Sequence, residues 1–142
     1  MTSPLRYGSP LPLERAKKVM EAAEAECAAH GWPMVVAILD STGHLVMLHR
    51  LENAQYASVG LAQLKAETAL NFRRDTVHFE TALTEGKLRF LAVPGMTPLE
   101  GGVLLMENDE IVGAIGVSGM SSRQDAQVAQ AGALALEQAA HG

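Results

Sequence analysis

Two apolar runs of strand-forming residues, each tied by a polar turn to a second apolar run, limit what this chain can become. Met34-Val35-Val36-Ala37-Ile38-Leu39 leads through Asp40-Ser41-Thr42-Gly43 into Leu45-Val46-Met47-Leu48. Val103 to Met106 leads through Asn108-Asp109 into Ile111 to Val117. Runs joined by so few residues pair as antiparallel hairpins. An unbroken apolar run such as 34–39 reads as a strand covered on both faces. Something must cover it, and the segments between the hairpins supply helices.

Leu13, Ala16, Met20, Ala23, Cys27 and His30 recur at alternating steps of three and four, which aligns them on one helical stripe. Pro12 suits the first turn, and Gly31 before Trp32-Pro33 stops the helix. Residues 56–72 return to helical spacing, and a short helix is expected around 79–86. Pro94-Gly95 and Pro98 then mark an irregular loop. Ser122 is read as the cap of a last helix, with Asp125 completing an S-x-x-D box. Ala126, Ala129, Ala133, Leu136 and Ala140 give that helix a small-residue face. The order α-β-β-α-(α)-β-β-α is α+β, an antiparallel sheet with helices around it. Residues 1–12, with Pro4, Gly8, Pro10 and Pro12, read as an extended arm, and 13–142 as a single domain.

A net charge of -5 and low aromatic content, 4%, argue against nucleic acid and anionic membrane as partners, since both need a basic face. The single Cys27 excludes an intramolecular disulfide and a multi-cysteine zinc cage. No apolar run reaches the ~20 residues of a membrane span. Met1-Thr2-Ser3-Pro4-Leu5-Arg6 lacks the apolar core of a signal peptide, so a cytoplasmic location is expected. The runs 34–39 and 111–117 are apolar throughout, more than the chain's own helices are expected to cover. A homo-oligomer, at least a dimer, is therefore expected.

Cys27 lies on the apolar stripe of the first helix and reads as a buried structural thiol. No G-x-S-x-G elbow occurs, and Ser118-Gly119 has no base linked to it in sequence. Gly113 and Gly116 read as sites where a helix or another subunit approaches the sheet. Gly101-Gly102 has two readings: a bulge, or bare backbone N–H groups facing a ligand carboxylate. Of five histidines, none forms an H-x-x-x-H pair, so no intrinsic metal site is predicted. His49 and His30, each bordering an apolar surface, are the candidate axial ligands should a haem bind, because a porphyrin supplies the other four. Lys65 is anomalous. It falls on a stripe of Ser58, Ala62, Ala69 and Phe72, where an ammonium is misplaced unless it snorkels, pairs or faces a lined cavity. Arg50 ends the second strand, so Arg50, Lys65, Gly101, Gly102, Ser58 and Ser118 are read as a carboxylate pocket. The alternative is an internal pairing of Lys65 or Arg50 with Asp40 or Glu52.

The chain resembles the GlcG/HbpS family of haem-binding-like domains, and is similar to the C-terminal domain of PduO-type corrinoid adenosyltransferases. The matching stretches include Leu13-Glu14-Arg15-Ala16, Val35 through His44, Arg50, Ser58, Lys65-Ala66, Phe72 and Pro94-Gly95. They continue through Gly101-Gly102, Gly113 through Gly119, Gln124-Asp125 and Ala129 through Ala133. The resemblance implies a profilin-like fold, assembly from dimers up to octamers, and a haem or related tetrapyrrole as ligand. Pro12 and Glu100 depart from the family pattern, and Glu100 sets an acid beside the pocket. The function expected is therefore tetrapyrrole binding as carrier, sensor or storage module. The alternative is an enzyme acting on a small carboxylated substrate by proton transfer or isomerisation, with Lys65, His49 and Glu100 as acid–base groups.

Overall fold

The computed structural model describes the backbone of residues 4–141 and the side chains of residues 4–139. The readings above for Met1 to Ser3, and for the side chains of Ala140 and His141, lie outside these residues. The elements are β1 (Arg6–Tyr7), α1 (Leu13–His30), β2 (Val35–Asp40), β3 (Leu45–Arg50), α2 (Ala57–Phe72), α3 (Val77–Thr84), a 3-10 segment (Leu88–Ala92), β4 (Gly102–Glu107), β5 (Glu110–Ser118) and α4 (Ser122–His141).

β5 is the central strand. β2 pairs antiparallel with it over residues 35–40, and β4 runs antiparallel along its other edge. β3 closes the sheet beside β2. The expected extended arm contributes two residues, Arg6 and Tyr7, which pair parallel with Glu110 and Ile111. Asn108 and Asp109 take φ of 51° and 64°, the two left-handed residues a type I′ hairpin demands. In the other turn, Asp40 Oδ1 accepts from the Thr42 N–H at 2.9 Å, a local bond that competes with strand continuation.

Because strand side chains alternate, β2 and β5 serve two cores. Val36, Ile38, Ile115 and Val117 face α1 and α4. Val35, Ala37, Leu39 and Ala114 face α2. On the α2 side both surfaces are built from small residues, so helix and sheet backbones meet closely. A Cβ at Gly116 would overlap the Ala62 carbonyl and stand 2.7 Å from the Ala66 nitrogen. The runs 34–39 and 111–117 are thus buried by the chain's own helices. That removes the reason given above for self-association.

Three local expectations shift. The short helix starts at Val77 rather than 79, because the Thr76 carbonyl accepts from Phe79 and Glu80. It ends before Gly86, at φ 87°. The capping box of α4 lies one residue earlier than expected. Ser121 Oγ accepts from the Gln124 N–H at 3.2 Å, and Gln124 Oε1 from the Ser121 N–H at 3.3 Å. Ser122 instead donates to Glu80 Oε1 at 2.8 Å, and Asp125 is released for another task. Among the described residues, no helix is long and apolar enough to cross a membrane.

Candidate functional site

Lys65 does not snorkel. Its side chain is 2% exposed, and Nζ donates to Asp125 Oδ2 at 2.8 Å and to the Val117 carbonyl at 3.0 Å. Asp125 answers with its second oxygen, which accepts from the Met120 N–H at 2.9 Å. Burial pushes the Asp125 carboxyl above its ordinary range, opposed by the hydrogen bond and charge of Lys65. The internal pairing expected as the alternative is therefore made, with Asp125 on α4 in place of Asp40 or Glu52. It ties α2 to α4 around the end of the sheet.

Gly101-Gly102 exists for the same junction. A Cβ on Gly101 would stand 2.6 Å from the Val117 carbonyl and 3.0 Å from Lys65 Nζ. On Gly102 it would overlap the Lys65 carbonyl and stand 2.8 Å from Thr76 Cγ2. The Gly102 N–H donates to Thr76 Oγ1 at 2.8 Å, so that amide is already spent inside the protein. Gly101 holds φ 131°, a region that favours glycine. Ser118 and Ser58 share a buried 3.1 Å hydrogen bond, and Gln55 donates to Ser58 at 3.0 Å. Arg50 is exposed and lies over the Tyr56 ring at 5.9 Å, lining a shallow hollow with Asn53 to Tyr56. Lys65 is bonded to Asp125 and Val117, so the two cations do not meet on one anion within the described residues.

Outside the double glycine lies a hollow of about 270 Å³ between β4, α4 and the loop before β4. Asp75, Glu100, Arg123, Gln127 and Gln130 supply its polar lining. Asp75 Oδ1 accepts from the Leu104 N–H at 2.9 Å, and desolvation raises its carboxyl. Glu100 is raised by desolvation and by the neighbouring Glu80 carboxylate, with Arg123 opposing. Two acids that hold protons above the usual range, beside a guanidinium, can exchange a proton with a small bound molecule. Of the expected acid–base groups, Glu100 alone lines this hollow, since Lys65 is sealed beneath it and His49 lies on the α1 side. Asp75 and Arg123 escaped the sequence reading. Neither carries a local signal, since each joins the hollow only through tertiary packing.

These carboxyls have a consequence for pH. Asp75 and Glu100 titrate higher in the folded chain than unfolded, so the folded chain holds protons that the unfolded chain has lost. Their contribution is fully present below the unfolded values and is lost as pH rises through the folded ones. Asp75→Asn keeps an acceptor for Leu104 and removes the buried charge. It is expected to raise urea stability at pH 7 and flatten its decline as pH rises above the ordinary carboxylate range. An equal or lower midpoint for the variant at pH 7 refutes this.

On the α1 side, His49 Nδ1 is hydrogen-bonded to Glu24 Oε1. His30 stacks on Trp32 with centroids 4.2 Å apart, and its Nε2 lies 3.3 Å from Glu26. Glu24, Cys27, Trp32, Pro33 and Leu51 help line a second hollow, of about 380 Å³. Burial pushes the Cys27 thiol up to about 11, so it stays a thiol at neutral pH, with Glu24 and Glu26 adding to the shift. No three His, Cys, Asp or Glu side chains among the described residues are grouped to hold a bare metal ion.

A five-stranded sheet with α2 on one face, α1 and α4 on the other, and hollows at the helix–sheet margins defines a small α+β ligand-pocket domain. The family described as haem degrading protein HbpS-like matches residues 11–134, and the chain belongs to it. Protein GlcG of Escherichia coli is 36% identical over 108 residues, 76% of this chain and 81% of that protein. A Streptomyces reticuli HbpS double mutant superposes with a TM-score of 0.80 at 29% identity, covering 94% of this chain and 97% of that one. PduOC in complex with haem has a TM-score of 0.80 at 26% identity, covering 89% and 94%.

Proposed function

We propose that the chain binds a haem-type tetrapyrrole, with His49 as axial ligand. The observation that carries this is the His49–Glu24 pair. A carboxylate on Nδ1 keeps the ring proton there, so the Nε2 lone pair is available to iron, the usual second partner of a metal-bound histidine. Beside it the hollow offers Trp32, Pro33 and Leu51 as apolar contacts for a macrocycle, and its size suits partial enclosure. Glu24 and Glu52, which also line it, would repel propionates placed beside them. When bound, the haem supplies the iron chemistry. This chain supplies the ligand, its orientation and the apolar wall. His30 ranks second, because its Nε2 already faces Glu26 and Gln127. Membership of the HbpS-like family and the likeness to PduOC, solved with haem, support this reading.

We also propose that the chain self-associates. β3 carries the half-exposed Leu45 at a sheet edge, and Leu64 on α2 and Tyr56 just before it are exposed. One experiment tests both proposals. Hemin titration read by absorbance should give a saturable Soret band in the parent and in His30→Ala, at least about tenfold weaker in His49→Ala. An unchanged titration in His49→Ala overturns the assignment. Light scattering on the same samples should give at least a dimer mass, and a monomer mass at micromolar concentration overturns self-association.

A second reading, an enzyme for a small carboxylated substrate, is favoured by the hollow of Asp75, Glu100 and Arg123. No Soret band, together with thermal stabilisation by small carboxylates that Arg123→Gln abolishes, would replace the first reading with this one.

A further inference from the structure

α3 and the 3-10 segment that follows it line a further hollow, of about 380 Å³. Arg74, Lys87 and Arg89 form its rim, and Val77, Ala82 and Phe90 contribute apolar wall. We infer that this hollow is a binding site for a small ring-bearing carboxylate, its anionic group held by Arg74 and Arg89 and its ring against Phe90. The inference is independent of tetrapyrrole binding at His49.

Charge is the first ground. The chain carries -5 overall and has 11 Lys and Arg residues, yet three of them converge here. Among the described residues Glu85 is the one acid lining the hollow, and it lies 3.9 Å from Lys87. Among the described residues neither arginine has an acid within salt-bridge distance. Arg74 Nη1 donates to His78 Nε2 at 3.0 Å, because a guanidinium only donates. The Arg89 guanidinium carbon lies over the Phe90 ring, 4.9 Å from its centre. Two planar forks with open donors match a carboxylate better than a bare lysine patch does.

The wall is the second ground. This aromatic-poor chain has three phenylalanines, and all of them join in one edge-to-face series beneath the hollow. Phe72 and Phe79 are 5.6 Å apart, and Phe79 and Phe90 are 5.5 Å apart. His78 meets Phe79 edge-on at 5.2 Å. This series anchors the 3-10 segment to α3, so Phe90 is a supported face rather than a loose side chain. An inorganic anion would leave the apolar wall of Val77, Ala82 and Phe90 wet, whereas an aromatic body removes it from water while its carboxylate meets the arginines.

The test uses the full chain labelled with 15N, titrated with 2-naphthoate, with the neutral 2-naphthalenemethanol and with inorganic phosphate. Naphthoate should give saturable amide shifts concentrated in residues 74–90. Affinity should fall about tenfold or more in Arg74→Gln/Arg89→Gln, and the neutral alcohol should bind about tenfold more weakly than naphthoate. The single Arg89→Gln variant, whose side chain is exposed, should show an intermediate loss and guards against misfolding of the double variant. Absent saturation, shifts spread over the whole chain, undiminished binding in both variants, or phosphate binding as tightly as naphthoate would each overturn the inference.

Discussion

Lys65→Met is expected to lower unfolding free energy by about 3–5 kcal/mol, the cost of leaving one member of a buried ion pair alone. Against a typical total of about 5–15 kcal/mol, that is about a fifth of the protein's stability or more. The physical reason lies on the other side of the pair. Asp125 is 4% exposed, and without Lys65 Nζ its Oδ2 faces a dry interior while Oδ1 remains bonded to Met120. The Val117 carbonyl loses its lysine donor as well. The double variant Lys65→Met/Asp125→Asn removes both charges and keeps an acceptor for Met120, so it should recover much of the loss. Urea midpoints for the two single variants and the double give the coupling directly. Costs that merely add would show that the two charges are energetically separate.

Gly116→Ala is the second large effect, expected at about 3 kcal/mol or more, because the obstacle is backbone rather than a flexible side chain. The new methyl would overlap the Ala62 carbonyl and crowd the Ala66 nitrogen, so α2 must lift from the sheet along its alanine face. Lifting it also strains the Lys65–Asp125 tie one turn further on. Gly60→Ala on the exposed side of the same helix is the contrast. Nothing lies within 4 Å of its added Cβ, so helix propensity alone should stabilise by up to about 1 kcal/mol. Thermal melts of the two variants should therefore move in opposite directions. A Gly116→Ala melt within error of the parent would refute the close-packing account.

The helices and hairpins are legible along the chain because their signals are local. The three-and-four spacing from Leu13 to His30 coincides with α1, and Gly31 ends it at φ 68°. Asn108-Asp109 adopts the turn its residue types favour. Lys65 stands out on the same basis, since an ammonium breaks a small-residue stripe whatever lies opposite. Its partner has no local signature. Asp125 is sixty residues away and, read beside Ser122, looks like a helix cap. It becomes a counter-ion only because the box forms one residue earlier, on Ser121 and Gln124. The double glycine follows the same rule. Glycine announces a close approach or an unusual φ without saying what approaches, and here the Lys65 backbone and Thr76 approach. The hollow of Asp75, Glu100 and Arg123 draws on three separate segments, which only the packing of α4 against β4 brings together. Periodicity and turn chemistry act over a few residues and are written in the chain order. Charge pairing and pocket composition depend on which surfaces the sheet brings face to face, and that is decided only when the helices close over it.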